Sequence, residues 1–151
     1  MLRPSKKMLF AIEAVLDIAY HAGGEPVQSK EITRRQGIPR RYLEQTLQQL
    51  VRAGVLTGVR GPRGGYRLAR ERRRISVGGI VRVVRALEAG EEEALDISSS
   101  GLGTQVIGPM WGDLQEDIMR RLDSISIDDL CLKAHQAGIR SEFSEKVDFN
   151  I

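Results

Sequence analysis

The chain has 151 residues, 23 Lys or Arg against 20 Asp or Glu, and a single cysteine. This length suits one globular unit, and one cysteine excludes an internal disulfide and an all-cysteine zinc site within one subunit. No apolar run approaches the roughly 20 residues that span a bilayer, and residues 1–7 lack the apolar core of a signal peptide, so we expect a cytoplasmic protein without a membrane partner.

The net charge of +3 conceals an asymmetry along the chain. Residues 1–85 carry 18 Lys or Arg and 6 Asp or Glu, a net charge of +12, whereas residues 86–151 carry 5 and 14, a net charge of −9. Of the 18 cations in the basic part, 15 are arginines, whose forked donors suit phosphates and guanine edges. The asymmetry favours a polyanionic partner, with a basic solvated face as the alternative.

Three helices are predicted in the first third of the chain. Ser5 caps the first helix, over residues 5–22, and two glycines end it. A short helix over residues 29–36, capped by its serine, and a longer one that opens at Pro39 and ends near residue 53 follow it. Because only the turn 37–39 separates these two helices, they form a helix-turn-helix candidate.

A β-hairpin is predicted next. Residues 55–59 and 66–69 are typical of short strands, and the Gly-Pro-Arg-Gly-Gly segment between them is typical of a turn. Seven arginines fall within positions 60–74. Three helices followed by a basic hairpin indicate a winged helix-turn-helix.

The rest of the chain is predicted to be helical apart from one loop. A fourth helix is capped by its serine and covers residues 76–90, and the polar, glycine-rich residues 90–105 are typical of a mobile loop. A long helix covers residues 106–122 with Pro109 in its first turn, and a Ser-Ile-Asp-Asp capping box opens a last helix over residues 126–138.

The predicted fold is mainly α with a small β-wing. A winged helix-turn-helix domain covers residues 1–75, a unit with the acidic loop, the long helix and the last helix covers 76–138, and a tail covers 139–151. The apolar stripe of the long helix either packs on its own domain or forms a dimer interface, and we favour the dimer because a two-fold axis places two recognition helices one DNA turn apart. The stripe consists of Ile107, Met110, Trp111, Leu114, Ile118 and Leu122.

Five short strings over most of the chain form a specific set. They are YLEQ at 42–45, VRGPRGGYRLA at 59–69, ISVG at 75–78, WGDL at 111–114 and ISIDDL at 125–130. Together they resemble the Rrf-two (Rrf2) family of bacterial winged-helix regulators, which includes iron–sulfur assembly, nitric-oxide-sensing and cysteine-metabolism regulators. The resemblance implies a homodimeric transcription regulator, in most cases a repressor, that binds double-stranded DNA at an imperfect palindromic operator.

By this resemblance, the third helix enters the major groove and the wing enters the minor groove. Gln45 can read adenine, Glu44 can accept from cytosine, and Arg40 or Arg41 can pair with guanine or phosphate. Residues at helix starts can donate to phosphates. The expected DNA contacts are Ser5, Lys6, Lys7, Ser29, Arg40, Arg41, Tyr42, Glu44, Gln45, Arg60, Arg63 and Gly64.

The chain departs from the family in the loop before the long helix. Many members hold an iron–sulfur cluster there through three cysteines, but residues 88–108 of this chain contain no cysteine. The first-helix positions that supply ligands in some members hold Leu9 and Glu13 here, and the glutamates of the loop are hard oxygen ligands that suit a cluster poorly. We therefore expect no cysteine-ligated cluster, no other cofactor and no metal.

Two residue pairs are candidates for sensing. Cys131 and His135 stand four apart on the last helix, where the histidine can lower the pKa of the thiol and make it an oxidant sensor. The alternative is that Cys131 is a small apolar residue in the interface. Asp17 and His21 are likewise four apart and indicate a solvated ion pair rather than a metal site. The sequence identifies no effector, and a regulatory protein and a small molecule are both compatible with it.

A DNA-binding regulator is the function that the sequence favours. The alternative is a winged-helix interaction module that binds RNA or a protein partner through the same surface. An enzyme is not expected, because one cysteine and two histidines, with no phosphate-cradling motif, do not assemble a nucleophile, a base and an orienting group.

Overall fold

The computed structural model describes residues 3–88 and 100–142. Within these ranges the chain forms α1 (Lys6–His21), α2 (Ser29–Gln36), α3 (Arg40–Arg52), β1 (Leu56–Val59), β2 (Gly65–Leu68), a 3-10 turn (Arg72–Arg74), α4 (Val77–Glu88), a π-helical turn (Gly103–Ile107), α5 (Gly108–Asp123) and α6 (Ile127–Gln136). The architecture is mainly helical with one small antiparallel sheet, as predicted. No helix in the described part of the chain is long and apolar enough to cross a membrane.

The helix-turn-helix forms where the sequence predicts it, with different caps. Gln28, not Ser29, caps α2, and its backbone N–H donates to the Glu31 carboxylate at 2.9 Å. Pro39 is the cap of α3 rather than its first helical residue. Gly37 ends α2 with φ +66°, a left-handed conformation that glycine adopts without strain.

The wing is a two-stranded hairpin that a third segment extends. β1 and β2 pair antiparallel, with Leu56 opposite Leu68. Val27, which the sequence places in a plain connector, exchanges two backbone hydrogen bonds of 2.9 and 2.8 Å with Tyr66. The wing is therefore tied to the segment that leads into α2.

One apolar core crosses the predicted division at residue 75. Core side chains from α1, α3, α4 and α6 include Ile18, Leu47, Ile80 and Ile127. The segments that precede α4 and α6 also pair, because Val77 N–H donates to Ile125 and Ile127 N–H donates to Ile75, both at 2.8 Å. The last helix thus packs as part of the winged domain.

The predicted loop over 90–105 is wrong at its C-terminal end. Residues 101–107 are helical and lead directly into α5, whereas residues 89–99, with the acidic triplet, lie outside the described residues. Ser100 starts this helical run, since its hydroxyl accepts from Gly103 N–H at 3.1 Å and its carbonyl accepts from Thr104 N–H at 3.0 Å. The π-helical turn ends two residues before Pro109, which cannot donate a backbone hydrogen bond.

Candidate nucleic-acid interface

The outer face of α3 carries the residues predicted to read bases. Leucines at positions 43, 47 and 50 are buried, so the opposite side of the helix faces solvent. The exposed residues in its first turn and a half are Arg40, Arg41, Tyr42, Glu44 and Gln45. The amphipathic pattern of α3 therefore brings all five together on one accessible surface.

Two of these side chains bind each other. Arg40 Nε donates to Glu44 Oε1 at 3.0 Å, and the two side chains are 71% and 52% exposed. An exposed pair at this spacing is worth about 0.3–0.5 kcal/mol, little enough for DNA to rearrange it. The opposite charges four residues apart were a signal for this pair that the sequence analysis missed.

The wing tip presents Arg60 and Arg63 to solvent. Gly61, with φ +109°, makes the turn between them, and its carbonyl accepts from Gly64 N–H at 2.9 Å. Gly64 is buried, and a Cβ there would lie 2.2 Å from the Val59 carbonyl oxygen. Gly64, predicted as a DNA contact, thus shapes the turn that carries the two arginines.

The predicted phosphate contacts at helix starts differ in accessibility. Lys6 is exposed, whereas Lys7 and Ser29 are half-buried. The Ser5 hydroxyl donates to Glu88 Oε1 at 2.8 Å and accepts from Met8 N–H at 3.2 Å. The hydroxyl hydrogen of Ser5 is therefore donated to Glu88 at the end of α4 rather than to a phosphate, and its oxygen caps α1.

The predicted thiol sensor lies in the core. Cys131 is 3% exposed, and burial raises the pKa of its thiol, although the nearby Arg72 cation acts in the opposite direction. His135 is exposed on α6 and is not among the groups that shift this pKa. A sensor thiol needs a lowered pKa, so this environment favours a structural role for Cys131, in the core of the single chain rather than in the interface expected from the sequence.

The predicted solvated pair of Asp17 and His21 is wrong, because Asp17 is 2% exposed and belongs to a buried network. Arg35 holds its carboxylate with two hydrogen bonds of 2.7 and 2.9 Å, and Gln36 adds a third of 2.8 Å. His21 Nε2 lies 3.9 Å from the same carboxylate. Among the described residues no group of His, Cys, Asp or Glu is placed to hold a metal ion.

The apolar stripe of α5 is uncovered in the single chain. None of the residues Gly108–Asp123, all of which are described, is buried. Exposed members of the predicted stripe are Ile107, Met110, Trp111, Leu114 and Ile118, at 38–53%. Leu122, the sixth predicted member, is half-buried.

The side of α5 that faces α4 is held by charge and by close approach. Arg82 donates twice to the Asp123 carboxylate, both at 2.6 Å, and a hydrogen bond from Arg82 lowers the pKa of that carboxyl. A Cβ at Gly78 would meet Asp123 Oδ1 at 1.9 Å. α5 is therefore anchored along one side and projects its apolar stripe from the other.

The sequence matches one family of known proteins over most of its length. The model of the family described as "Rrf2: Iron-dependent Transcriptional regulator" matches residues 4–133. The HTH-type transcriptional regulator IscR of Vibrio cholerae is 34% identical over 138 residues, which cover 87% of this chain and 76% of that protein. IscR of Aliivibrio salmonicida is 36% identical, with 83% of this chain and 75% of that protein covered.

Two solved structures share the fold over most of the chain. The structure of T. potens IscR has a TM-score of 0.73 and 36% identity, and it covers 95% of this chain and 96% of that one. The structure of CymR (YrzC), described as the global cysteine regulator of B. subtilis, has a TM-score of 0.70 and 27% identity, with coverage of 88% and 98%.

Proposed function

Because the chain belongs to the Rrf2 family and is a DNA-binding transcription regulator, not an enzyme, we propose that it acts as a homodimeric repressor at an imperfect palindromic operator. The observation that carries this proposal is the uncovered apolar stripe of α5 on a chain whose α3 exposes a base-reading face. A two-fold dimer through α5 presents two α3 helices to successive major grooves, about 34–36 Å apart.

The side chains on α3 and on the wing suit the two grooves differently. Arg41 and Gln45 have the donor geometry that reads guanine and adenine edges in the major groove. Arg60 and Arg63 form a compact cationic tip on a turn of glycine and proline, which suits the negative potential of a narrow minor groove. Each half-site thus combines base reading by α3 with charge and shape reading by the wing.

We propose further that regulation does not use a cysteine-ligated iron–sulfur cluster. Such a cluster needs thiolate ligands, and the one cysteine of the chain is Cys131, which is buried in α6. The donor set of this chain therefore does not fit the group, and a protein partner or a small molecule is the source of the signal that we propose instead. Protein purified without oxygen should lack visible charge-transfer bands and stoichiometric iron; their presence would contradict this part of the proposal.

A competition assay tests DNA recognition. A labelled duplex selected by the protein from a random library is challenged with the same duplex unlabelled, with a scrambled duplex and with a structured RNA hairpin. The selected duplex should compete at least about 1,000-fold better than the scrambled one, and binding should weaken steeply with salt. Equal competition by RNA or scrambled DNA would contradict the proposal and favour a general interaction module.

A further inference from the structure

The chain after α6 returns to the helix-turn-helix and fastens there. The Tyr20 hydroxyl donates to the backbone carbonyl of Ile139. Three residues on, the Glu142 backbone N–H donates to His21 Nδ1 at 3.0 Å. Residues 139–142 thus contact the C-terminal end of α1 through Tyr20 and His21, neither of which is a predicted DNA contact.

The side chain of Glu142 continues from α1 to α2. Its carboxylate accepts from Arg34 Nη2 at 2.9 Å and from Arg35 Nη1 at 2.8 Å. The Glu142 side chain is 28% exposed, and burial alone would raise the pKa of its carboxyl. The hydrogen bond from Arg34 and the charges of both arginines outweigh burial and lower that pKa, so the carboxylate is charged at neutral pH.

Arg35 joins the carboxylates of α1 and of the C-terminal segment. Its Nε and Nη2 bind Asp17, and its Nη1 binds Glu142. The Arg35 side chain is 9% exposed and that of Asp17 is 0% exposed, so this is a buried ion network rather than a surface pair. A buried network of this kind keeps its partners in fixed positions, because loss of one partner leaves a buried charge without its counterion in a low dielectric.

The place of Arg35 in the fold connects this network to DNA reading. Arg35 lies in the last turn of α2, and the turn Gly37-Ile38-Pro39 is all that separates α2 from α3. Because this turn is only three residues long, a change in the angle between α2 and α1 also moves the start of α3. The contact of Arg35 with Asp17 and Glu142 therefore holds the end of α2 that leads into α3, and α3 itself also packs on α1, β1 and α4.

We propose that residues 139–142 are a brace for the DNA-reading unit and that Glu142 is a positioning residue, which holds Arg35 against Asp17 and so sets the angle of α2 and α3 without touching DNA. This inference rests on the proposed function, in which α3 reads base edges. Sequence-specific binding requires an accurate fit of α3 in the groove, whereas nonspecific binding depends on cationic charge. Loss of the brace should therefore weaken operator binding selectively.

The test uses the full chain with Glu142→Gln, which keeps the shape of the side chain and removes its charge. Affinity for the selected duplex should fall about 5- to 20-fold, a usual range for energetic coupling between separate sites. Affinity for a scrambled duplex and the salt dependence should match the wild type, because no cation is lost. Glu13→Gln is the matched control: it removes one negative charge from an exposed position on α1 and should leave both affinities unchanged.

Amide hydrogen exchange separates a brace from general damage. In Glu142→Gln, exchange should accelerate over residues 29–36 and keep the wild-type rate over residues 108–123. Wild-type operator affinity, an equal loss on both duplexes, or faster exchange throughout would each overturn the brace. Gln45→Ala tests the underlying proposal that α3 reads bases. If Gln45→Ala reduces the ratio of the two affinities and Glu142→Gln does not, only the brace is overturned. If the wild-type protein binds both duplexes equally well, both proposals are overturned.

Discussion

The uncovered stripe of α5 predicts how a single charge should affect assembly. Ile118 lies on this stripe beside Leu114, and the two side chains are 53% and 48% exposed in the single chain. Ile118→Asp places a carboxylate where the proposed dimer buries an aliphatic group. Because none of the α5 residues, all within the described part of the chain, is buried, the substitution should leave the fold of the monomer intact.

The size of the effect follows from the exposed fraction. Complete burial of a large apolar side chain is worth about 1.5–3 kcal/mol, so covering the exposed half contributes about 1 kcal/mol. Two aspartates in this interface remove about 2 kcal/mol and add several kcal/mol for dehydration of the carboxylates. The dimer dissociation constant should rise by about 100-fold or more.

Sedimentation velocity over a dilution series measures this constant. Wild-type protein should sediment as a dimer and Ile118→Asp as a monomer with unchanged helical content by circular dichroism. Leu132→Asp is the matched control, since Leu132 is 57% exposed and lies on α6 rather than on α5. An Ile118→Asp protein that stays dimeric at every dilution, or a Leu132→Asp protein that dissociates to the same degree, would refute the interface.

Three further substitutions test the wing and α3, and chemical labelling tests the thiol of Cys131. Arg60→Ala should weaken operator binding by about 1–3 kcal/mol and reduce its salt dependence, and unchanged titrations would contradict a role in the groove. Glu44→Ala should relax base preference more than affinity; selection from a random library that returns the wild-type motif would exclude a discriminating contact. Gly64→Ala drives a Cβ towards the Val59 carbonyl, so thermal unfolding should report a loss of about 2–3 kcal/mol, and a wild-type melting temperature would count against this packing. Cys131 should react slowly with a thiol reagent in the native protein and rapidly after unfolding, and rapid native labelling would revive the sensor.

The helix-turn-helix and the wing were predictable because their signals are local. Gly37 ends α2 with a positive φ, and Gly61 makes the turn of the hairpin. The capping box at the start of α6 forms as the sequence predicts, with Ser126 Oγ accepting from Asp129 N–H at 3.0 Å and Asp129 Oδ2 accepting from Ser126 N–H at 2.9 Å. Each signal needs only the few residues around it, so one sequence suffices to find it.

The features that were missed depend on residues far apart in the chain. Glu142 meets Arg35 across 107 positions, and Ser5 meets Glu88 across 83, so neither sequence neighbourhood indicates the pair. Residues 101–105 contain one large apolar residue and so show no apolar periodicity, and their helical structure rests on Ser100 and on continuity with α5. The burial of Gly64 follows from the hairpin register, which composition alone does not determine.

The most direct test of a dimeric DNA reader is the symmetry of the site it selects. Purified protein would be used to enrich binding duplexes from a random library, and the enriched site would be mapped by hydroxyl-radical protection. Two inverted half-sites with centres about 10–10.5 base pairs apart, protected together at a stoichiometry of two chains per duplex, are the predicted result. A single unrepeated motif bound by one chain, or no enriched motif, would contradict the account.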